Sequence, residues 1–146
     1  MVKAYLRYVP DGGFGVVASS DCNVLSVAGK FALTARGDAI LFWNVRTSTV
    51  VRQLVPENIS VGNHSNAGPT VTNLVARPKH SDQVAAGYAN GSVRMWNHQD
   101  GQCILTLSGH KSAVSALAFS EDGNFLASGS HDTDIVLWDT VEENLI

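Results

Sequence analysis

The sequence predicts an all-β protein built from repeated units of four short strands. Three tryptophans each close a similar phrase, which reads AILFWN up to Asn44, SVRMWN up to Asn97 and DIVLWD up to Asp139. Between these phrases, runs of β-branched and small apolar residues alternate with Gly and Asp turns and show no helical period. Trp96 and Trp138 are 42 residues apart, a spacing that suits a four-stranded unit.

The third copy shows the strands most clearly. VSALAF begins at Val114, a turn follows at 121–123, and FLASGS, a turn at Asp132 and DIVLW come next. The strand CILTL and the pair Gly109-His110 precede them. Four hairpin-connected strands in about 42 residues are typical of a β-propeller blade.

The chain divides into five predicted segments. Trp43 and Trp96 are 53 residues apart, and the excess falls in PENISVGNHSNAGP, whose Pro, Gly, Asn and Ser content indicates an inserted loop. Near the start, FGVVASSDCNVLSV aligns with FLASGSHDTDIVLW but lacks the tryptophan. The segments are an N-terminal strand with a degenerate hairpin (1–30), a degenerate blade (31–55), the inserted loop (56–69), a second blade (70–108) and a third blade ending before its outer strand (109–146).

About three blades form an incomplete ring, because closed propellers have roughly four to eight. We therefore expect the third blade to expose an apolar face and the unpaired edge of the DIVLW strand. The polypeptide alone should self-associate, or be marginally folded without the missing blades. A monomeric sedimentation profile with cooperative melting would contradict this expectation.

Charge argues against a domain that binds polyanions through bulk electrostatics, since the net charge is -3. All ten Lys and Arg lie at or before Lys111, whereas the last 35 residues carry seven acids and no base. A basic flank that contacts RNA and a simple solvated face both fit this distribution, and the solvated face is favoured.

Other composition features exclude several classes of site. Cys22 and Cys103 are isolated in sequence, which predicts reduced, core-type thiols and neither a disulfide framework nor a zinc site. No signal-peptide h-region and no run of 18 apolar residues occurs. We expect a cytosolic or nuclear protein with no cofactor, no metal and no membrane contact.

Gly109-His110, SEDGNFLASGSHDTDIVLWD and the two Trp-Asn variants resemble the WD-repeat (WD40) family over about residues 31–146. The resemblance implies a partial β-propeller that acts as a binding scaffold. In closed propellers of this family an N-terminal strand often completes the last blade, a role that the resemblance assigns to residues 5–19.

His110, Ser128 and Asp132 have the residue types of a hydrolase triad. The resemblance implies a buried structural tetrad instead, in which the Trp138 indole bonds the serine, the serine bonds the histidine and the histidine bonds the aspartate. No GxSxG elbow accompanies Ser128. We therefore predict no enzymatic activity.

The other copies lack the full tetrad. With the tryptophans superposed, the serine, aspartate and histidine positions of the second copy hold Ala86, Asn90 and Ala67. In the first copy, Leu33 and Gly37 fall at the serine and aspartate positions, which predicts no network there.

Histidines outside the tetrad lack metal-ligand spacing, so His64, His80 and His98 are predicted to be solvated. Tyr88 and Trp96 are interpreted as packing residues. The resemblance further implies a partner-binding rim where the inner hairpins meet the entry loops. Its candidate contact residues are Lys111, Ser112, His131, Ala89 and Arg36.

A finer resemblance concerns function. YLRY with FGVV, then AGYANGSVRMW, GHKSAV and LASGSHDTDIVLWD in that order, resemble the N-terminal propeller of the WD-repeat UTP-B subunits of the small-subunit processome, the U-three small nucleolar ribonucleoprotein. This implies a nucleolar protein–protein interaction scaffold in small ribosomal subunit biogenesis and ribosomal RNA precursor processing. Its partners would be other proteins of a large assembly, with an indirect or weak RNA contact such as snoRNA binding. The alternatives are a generic WD-repeat adaptor, such as a ubiquitin-ligase substrate receptor or signalling scaffold, and an enzyme built on His110.

Overall fold

A computed structural model describes residues 22–56, 68–141 and, for the backbone alone, 144–145. These parts of the chain contain twelve strands and no helix, which confirms the all-β prediction. No helix long and apolar enough to cross a membrane is present in them. The strand predicted within residues 5–19, together with residues 57–67 of the inserted loop, lies outside the described residues.

The first blade is a four-stranded antiparallel sheet. Its strands follow one another in chain order as β1 (Leu25–Val27), β2 (Phe31–Arg36), β3 (Ala39–Asn44) and β4 (Thr49–Leu54). The predicted start at residue 31 is wrong, because β1 pairs with β2 through Leu25↔Leu33 and Val27↔Phe31. The blade therefore takes its innermost strand from the segment assigned to an N-terminal hairpin.

The second and third blades repeat this order. The second contains β5 (Val71–Ala76), β6 (Gln83–Tyr88), β7 (Ser92–Asn97) and β8 (Cys103–Ser108), and the third contains β9 (Val114–Phe119), β10 (Phe125–Ser130), β11 (Ile135–Asp139) and β12 (Asn144–Leu145). The expectation that the third blade ends before its outer strand needs correction, because β12 already pairs with β11. In all three blades the tryptophan pairs with the residue seven positions later, namely Val50, Cys103 and Leu145.

The blades pack face to face through two hydrophobic cores. Side chains alternate between the faces of a strand, so Val84 and Ala86 of β6 pack toward the first blade while Ala85 packs toward the third. Leu33 and Trp96 belong to the core between the first and second blades. The middle blade is thus apolar on both faces, and β6 is buried from its second residue onward.

Hydrogen bonds also join neighbouring blades near their inner strands. Asn23 pairs with the backbone of Leu74 twice, through Nδ2 to the carbonyl oxygen at 2.8 Å and through Oδ1 from the N–H at 2.7 Å. Thr72 donates to the Val114 carbonyl at 2.6 Å. These bonds fix the inner strands of consecutive blades relative to one another.

The far face of the third blade carries exposed apolar side chains. Ile135 is 82% exposed, Leu137 42% and Phe125 37%. On the second blade, the equivalent face is covered by the third blade.

Candidate functional site

Four side chains of the third blade meet in one hydrogen-bonded network. His110 lies in the loop before β9, Ser128 on β10, Asp132 in the β10–β11 turn and Trp138 on β11. The Trp138 indole donates to Ser128 Oγ at 2.8 Å, and Ser128 Oγ lies 2.7 Å from His110 Nε2. His110 Nδ1 lies 3.2 Å from the nearer Asp132 carboxylate oxygen. The network joins the entry loop, the inner hairpin and the third strand.

With a neutral His110 imidazole, the donors and acceptors fix the direction of every bond. An ionised carboxylate only accepts, so His110 Nδ1 carries the proton and donates to Asp132. The Nε2 atom of a neutral imidazole is then an acceptor, and the Ser128 hydroxyl donates to it. An indole only donates, so Trp138 takes the remaining acceptor side of Ser128 Oγ.

This order of serine, histidine and aspartate is that of a hydrolase triad, but its surroundings differ. Ser128 is fully buried, and its oxygen already accepts the indole N–H of Trp138. A nucleophilic serine needs a lone pair that a substrate carbon can reach. Within the described residues, no group of three or more His, Cys, Asp or Glu side chains is placed to hold a metal ion.

The glycine before His110, Gly109, is required by the close packing of the Trp138 ring. A Cβ atom at this position would lie 2.7 Å from Cη2 of Trp138. The indole ring therefore packs directly against the Gly109 backbone, and a side chain there would displace it. The Gly-His pair and the tryptophan, 28 residues further along the chain, form one structural unit.

Asp132 is held ionised by its hydrogen bonds. The backbone N–H of Lys111 donates to Oδ2 at 2.7 Å and is the main cause of a pKa near 2, lowered from an ordinary 3.8. The N–H of Asp134, at 3.1 Å from Oδ1, acts in the same direction. The carboxylate thereby fixes the loop that carries His110.

The depressed pKa of Asp132 predicts a defined pH window for its contribution to stability. Because the folded-state pKa lies below the unfolded value, the contribution is fully present above about pH 4 and is lost as pH falls through about 2. Melting temperatures of the wild type and Asp132→Asn should therefore differ most near pH 7 and converge only below about pH 2. A difference that stays constant over this range would contradict the assignment.

The first blade has a partial network, so the prediction of none is wrong. Trp43 donates its indole N–H to Thr34 Oγ1 at 3.0 Å. The turn between β2 and β3 is one residue shorter than that between β6 and β7, and this shifts the serine position from Leu33 to Thr34. Asp38, four residues further on, takes the aspartate position in place of Gly37 and accepts the N–H of Gly68 at 3.3 Å.

The second blade lacks the network, and its tryptophan, Trp96, has no serine hydroxyl to bond with. Ala86 pairs with Arg94 as Ser128 pairs with Val136, so Ala86 holds the serine position. In this part of the chain, the Trp96 indole N–H, the Tyr88 hydroxyl and Arg94 Nε are buried, and none makes a hydrogen bond of standard geometry. The indole N–H nevertheless lies close enough to the Tyr88 hydroxyl to act on its pKa. The predicted histidine position needs correction, because His110 precedes Trp138 by 28 residues and the residue 28 before Trp96 is Gly68, not Ala67.

Two further groups complete the polar region of the second blade. Asn90 Oδ1 accepts from the N–H of Ser92 at 3.1 Å and from its hydroxyl at 2.7 Å, so it caps its own turn. The Arg94 guanidinium carbon lies 5.3 Å from the centre of the Tyr88 ring, a cation–π distance. Burial raises the pKa of Tyr88 to about 12.

The predicted rim residues all lie at the end of the blades that carries the inner-hairpin turns and entry loops. Arg36, Ala89, Lys111 and His131 are exposed, and Ser112 is half-buried. Ala89 and His131 line one open groove of about 330 Å³ together with Thr70, Thr72, Ala113, Val114 and Ser115.

His98 was missed, because a solvated side chain was predicted. The structure corrects this, since His98 is only 6% exposed and its ring stacks on Phe42 with centroids 4.7 Å apart. Its position in the repeat could have indicated burial, since His98 follows Trp96 by two residues as Thr140 follows Trp138. Both positions close the end of their blade against the preceding one. His80 is exposed, as predicted, and His64 lies outside the described residues.

Comparison with known families agrees with the blade geometry. The family model "WD domain, G-beta repeat" matches residues 101–139. This span includes β9, β10 and β11 and all four network residues.

Three relatives match most of this chain. It is 36% identical over 114 residues to "WD repeat-containing protein 3 homolog" of Dictyostelium discoideum, covering 78% of this chain and 11% of that protein. It is 31% identical over 143 residues to "U3 small nucleolar RNA-associated protein 12" of Saccharomyces cerevisiae, covering 89% of this chain and 15% of the relative. It is 29% identical over 121 residues to "Transcriptional corepressor LEUNIG_HOMOLOG" of Arabidopsis thaliana, covering 80% of this chain and 14% of the relative. The chain thus spans only a small part of each relative.

Proposed function

The chain belongs to the WD-repeat family, and on that basis we propose that it is a non-enzymatic protein–protein interaction scaffold in small ribosomal subunit biogenesis and ribosomal RNA precursor processing. The observation that carries the proposal is the similarity to the yeast relative over 89% of this chain. The name of that relative associates it with U3 small nucleolar RNA. By the same inference, the protein works in the nucleolus.

The proposal assigns a structural role to the network of His110, Ser128, Asp132 and Trp138. Each of its polar groups has a partner, and a buried group without one costs roughly 1–3 kcal/mol. Ser128 and its neighbours thus stabilise the third blade from within. Partner proteins would therefore bind to exposed residues and not to this buried network.

Partner proteins of a large assembly would bind at the rim. Lys111 and His131 are exposed there, and His131 borders the open groove between the second and third blades. Arg36 and Lys111 supply positive charge, which supports a weak or indirect RNA contact rather than a dedicated RNA site. In the isolated chain, self-association through Ile135 and Leu137 would compete with such binding.

A generic adaptor is the second candidate function. It is favoured by the Arabidopsis relative, whose name describes a transcriptional corepressor although 80% of this chain aligns with it. The two functions share the scaffold role and differ in partners and location.

Affinity purification of the intact protein from cells, with identification of bound protein and RNA, tests the proposal. We expect nucleolar localisation and recovery of small-subunit processome proteins with U3 small nucleolar RNA. The double variant Lys111→Glu/His131→Glu should lower the recovery of direct partners, because both side chains are exposed at the rim.

The matched control is Lys79→Glu, an exposed lysine in the β5–β6 turn at the opposite end of the blades. It should leave recovery unchanged. A diffuse cytosolic signal with ubiquitin-ligase or signalling partners would contradict the ribosome-assembly proposal and favour the adaptor. Equal losses in both variants would contradict the assignment of the rim.

A further inference from the structure

An open cleft lies between the first and second blades, at the end opposite the rim. Its volume is about 290 Å³, and we call it the aromatic cleft, lined by Phe31, Phe42, Val51, Arg52, His98 and Gln99. Phe31 stacks on Phe42 with ring centroids 4.8 Å apart, and Phe42 stacks in turn on His98 at 4.7 Å. Phe42 and His98 are buried, whereas Phe31 is only half-buried. Phe31 is therefore the accessible end of this stack of rings.

Three exposed basic side chains of the first blade surround this cleft. Lys30 and Arg46 lie in neighbouring turns, which are joined by the hydrogen bond from the Val45 N–H to the Lys30 carbonyl at 2.9 Å. Arg52 lines the cleft itself, and its Nη1 donates to the Asp100 carbonyl oxygen at 2.7 Å. None of the three pairs with a carboxylate among the described residues. Their positive charge is therefore available to an anionic partner.

Acidic side chains are few around the cleft. Residues 22–56 contain one acid, Asp38, and it lies in the β2–β3 turn at the rim. In the adjacent loops of the second blade, carboxylate oxygens of Asp82 and Asp100 lie 3.5 and 3.1 Å from Nδ2 of Asn97. The end of the first blade opposite the rim is therefore locally basic, although the net charge of the chain is -3.

The other two blades provide an internal comparison for this position. Phe125 of the third blade is equivalent to Phe31, because each pairs with the residue that follows the tryptophan of its blade. Phe125 is 37% exposed, but the turn before it carries Glu121 and Asp122 and no base. The second blade has Gln83 at this position. Among the three described blades, the first alone combines an accessible ring with basic neighbours.

We propose that the aromatic cleft binds single-stranded RNA, with one unpaired nucleobase stacked on Phe31. The phosphates on either side of that nucleobase contact Lys30, Arg46 and Arg52. Single strands are bound by this combination, because every nucleobase has a flat face for an aromatic ring and every phosphate is an anion. The volume is at the low end for ligand pockets, which suits one nucleobase. An acidic peptide would meet the same charges but need not extend the stack of rings.

This inference rests on the proposed function and adds a direct RNA contact at the end opposite the rim. It is tested by fluorescence anisotropy, with the intact protein titrated into a short dye-labelled single-stranded oligouridine. We expect saturable binding that weakens as salt is added. The logarithm of the binding constant should fall with the logarithm of the salt concentration at a slope of about -2, because roughly three phosphates contribute about 0.7 each.

Phe31→Leu tests the stacking, because leucine keeps an apolar side chain and removes the ring. It should weaken binding about fivefold or more while leaving the salt slope unchanged, since one contact between a nucleobase and an aromatic ring is lost. The matched control is Phe125→Leu, which removes a ring at the equivalent position of the third blade. It should leave the affinity unchanged. Circular dichroism checks that both variants are folded.

Arg46→Glu tests the phosphate contacts and leaves the rings in place, because Arg46 is exposed in the β3–β4 turn. It should weaken binding and make the salt slope shallower by about 1. The matched control is Lys79→Glu, the same change of charge at an exposed side chain. Lys79 lies at the same end of the second blade, in a turn that Arg77 joins to the third blade, so affinity and slope should stay nearly unchanged.

Several outcomes would overturn the inference. These are no binding of the oligouridine, equal binding of a fully paired RNA duplex, or equal losses in a variant and its matched control. Displacement of the oligouridine by a glutamate-rich peptide would assign the cleft to an acidic protein instead. Recovery of partner proteins from cells is measured separately. If that recovery persists while the oligouridine fails to bind, only the cleft inference is wrong, and the scaffold proposal stands.

Discussion

Gly91→Ala is expected to destabilise the protein by about 3 kcal/mol or more. Gly91 has a φ of +85°, and a Cβ there would lie 2.5 Å from the carbonyl oxygen of His110 and 2.9 Å from that of Ser112. A left-handed backbone costs an L-residue about 1–2 kcal/mol, and overpacking adds about 1–3 kcal/mol. The atoms it meets belong to backbone, so they cannot rotate away. Urea unfolding measures the loss.

Two other glycines serve as controls for the separate contributions. Gly37 has a φ of +62°, and a Cβ added there would meet nothing within 4 Å, so Gly37→Ala reports the backbone cost alone. Gly129 has ordinary φ and would place its Cβ 3.9 Å from that of Ala116, so Gly129→Ala should be neutral. If Gly91→Ala were no worse than Gly37→Ala, the close contact between the second blade's turn and the His110 loop would be wrong.

Ser128→Ala is expected to cost about 3 kcal/mol, the second large effect. The change removes the acceptor for the Trp138 indole and the donor for His110 Nε2, leaving two buried polar groups unpaired. Unfolding in urea should occur at a lower midpoint with an unchanged slope. Ser115→Ala is the control, because Ser115 is exposed. Equal stability of both variants would contradict a stabilising network.

The reciprocal substitution is Ala86→Ser in the second blade. It places a hydroxyl at the serine position, where the Trp96 indole N–H makes no hydrogen bond of standard geometry. A gain of about 1 kcal/mol is expected from the new hydrogen bond. A loss of stability would mean that the buried site cannot accommodate the hydroxyl.

The sequence predicted the third blade well, because its turns, strands and tetrad residues follow the repeat without insertion. The first blade was harder to predict. A β2–β3 turn shorter by one residue moves the serine position to Thr34, and a gapless alignment cannot detect this. Its inner strand Leu25–Val27 was also missed, since three residues carry too little alternation to mark a strand.

Contacts of the candidate site that lie within one repeat could be predicted from the sequence, whereas contacts between blades could not. The contacts among His110, Ser128 and Asp132 lie within one repeat, so a repeat motif could anticipate them. The stacked rings of Phe31, Phe42 and His98 join two blades, because His98 comes from a different repeat than the two phenylalanines. Only the stacking of blades brings these rings together, and a periodicity within one chain segment does not encode it.

We propose that the buried serine, histidine and aspartate stabilise a binding scaffold and do not form an active site. The most direct test compares hydrolysis of an activated ester, p-nitrophenyl acetate, by the wild type and by Ser128→Ala, each shown to be folded by circular dichroism. We expect equal rates for the two proteins, since Ser128 is fully buried. Turnover by the wild type that disappears in folded Ser128→Ala would contradict it.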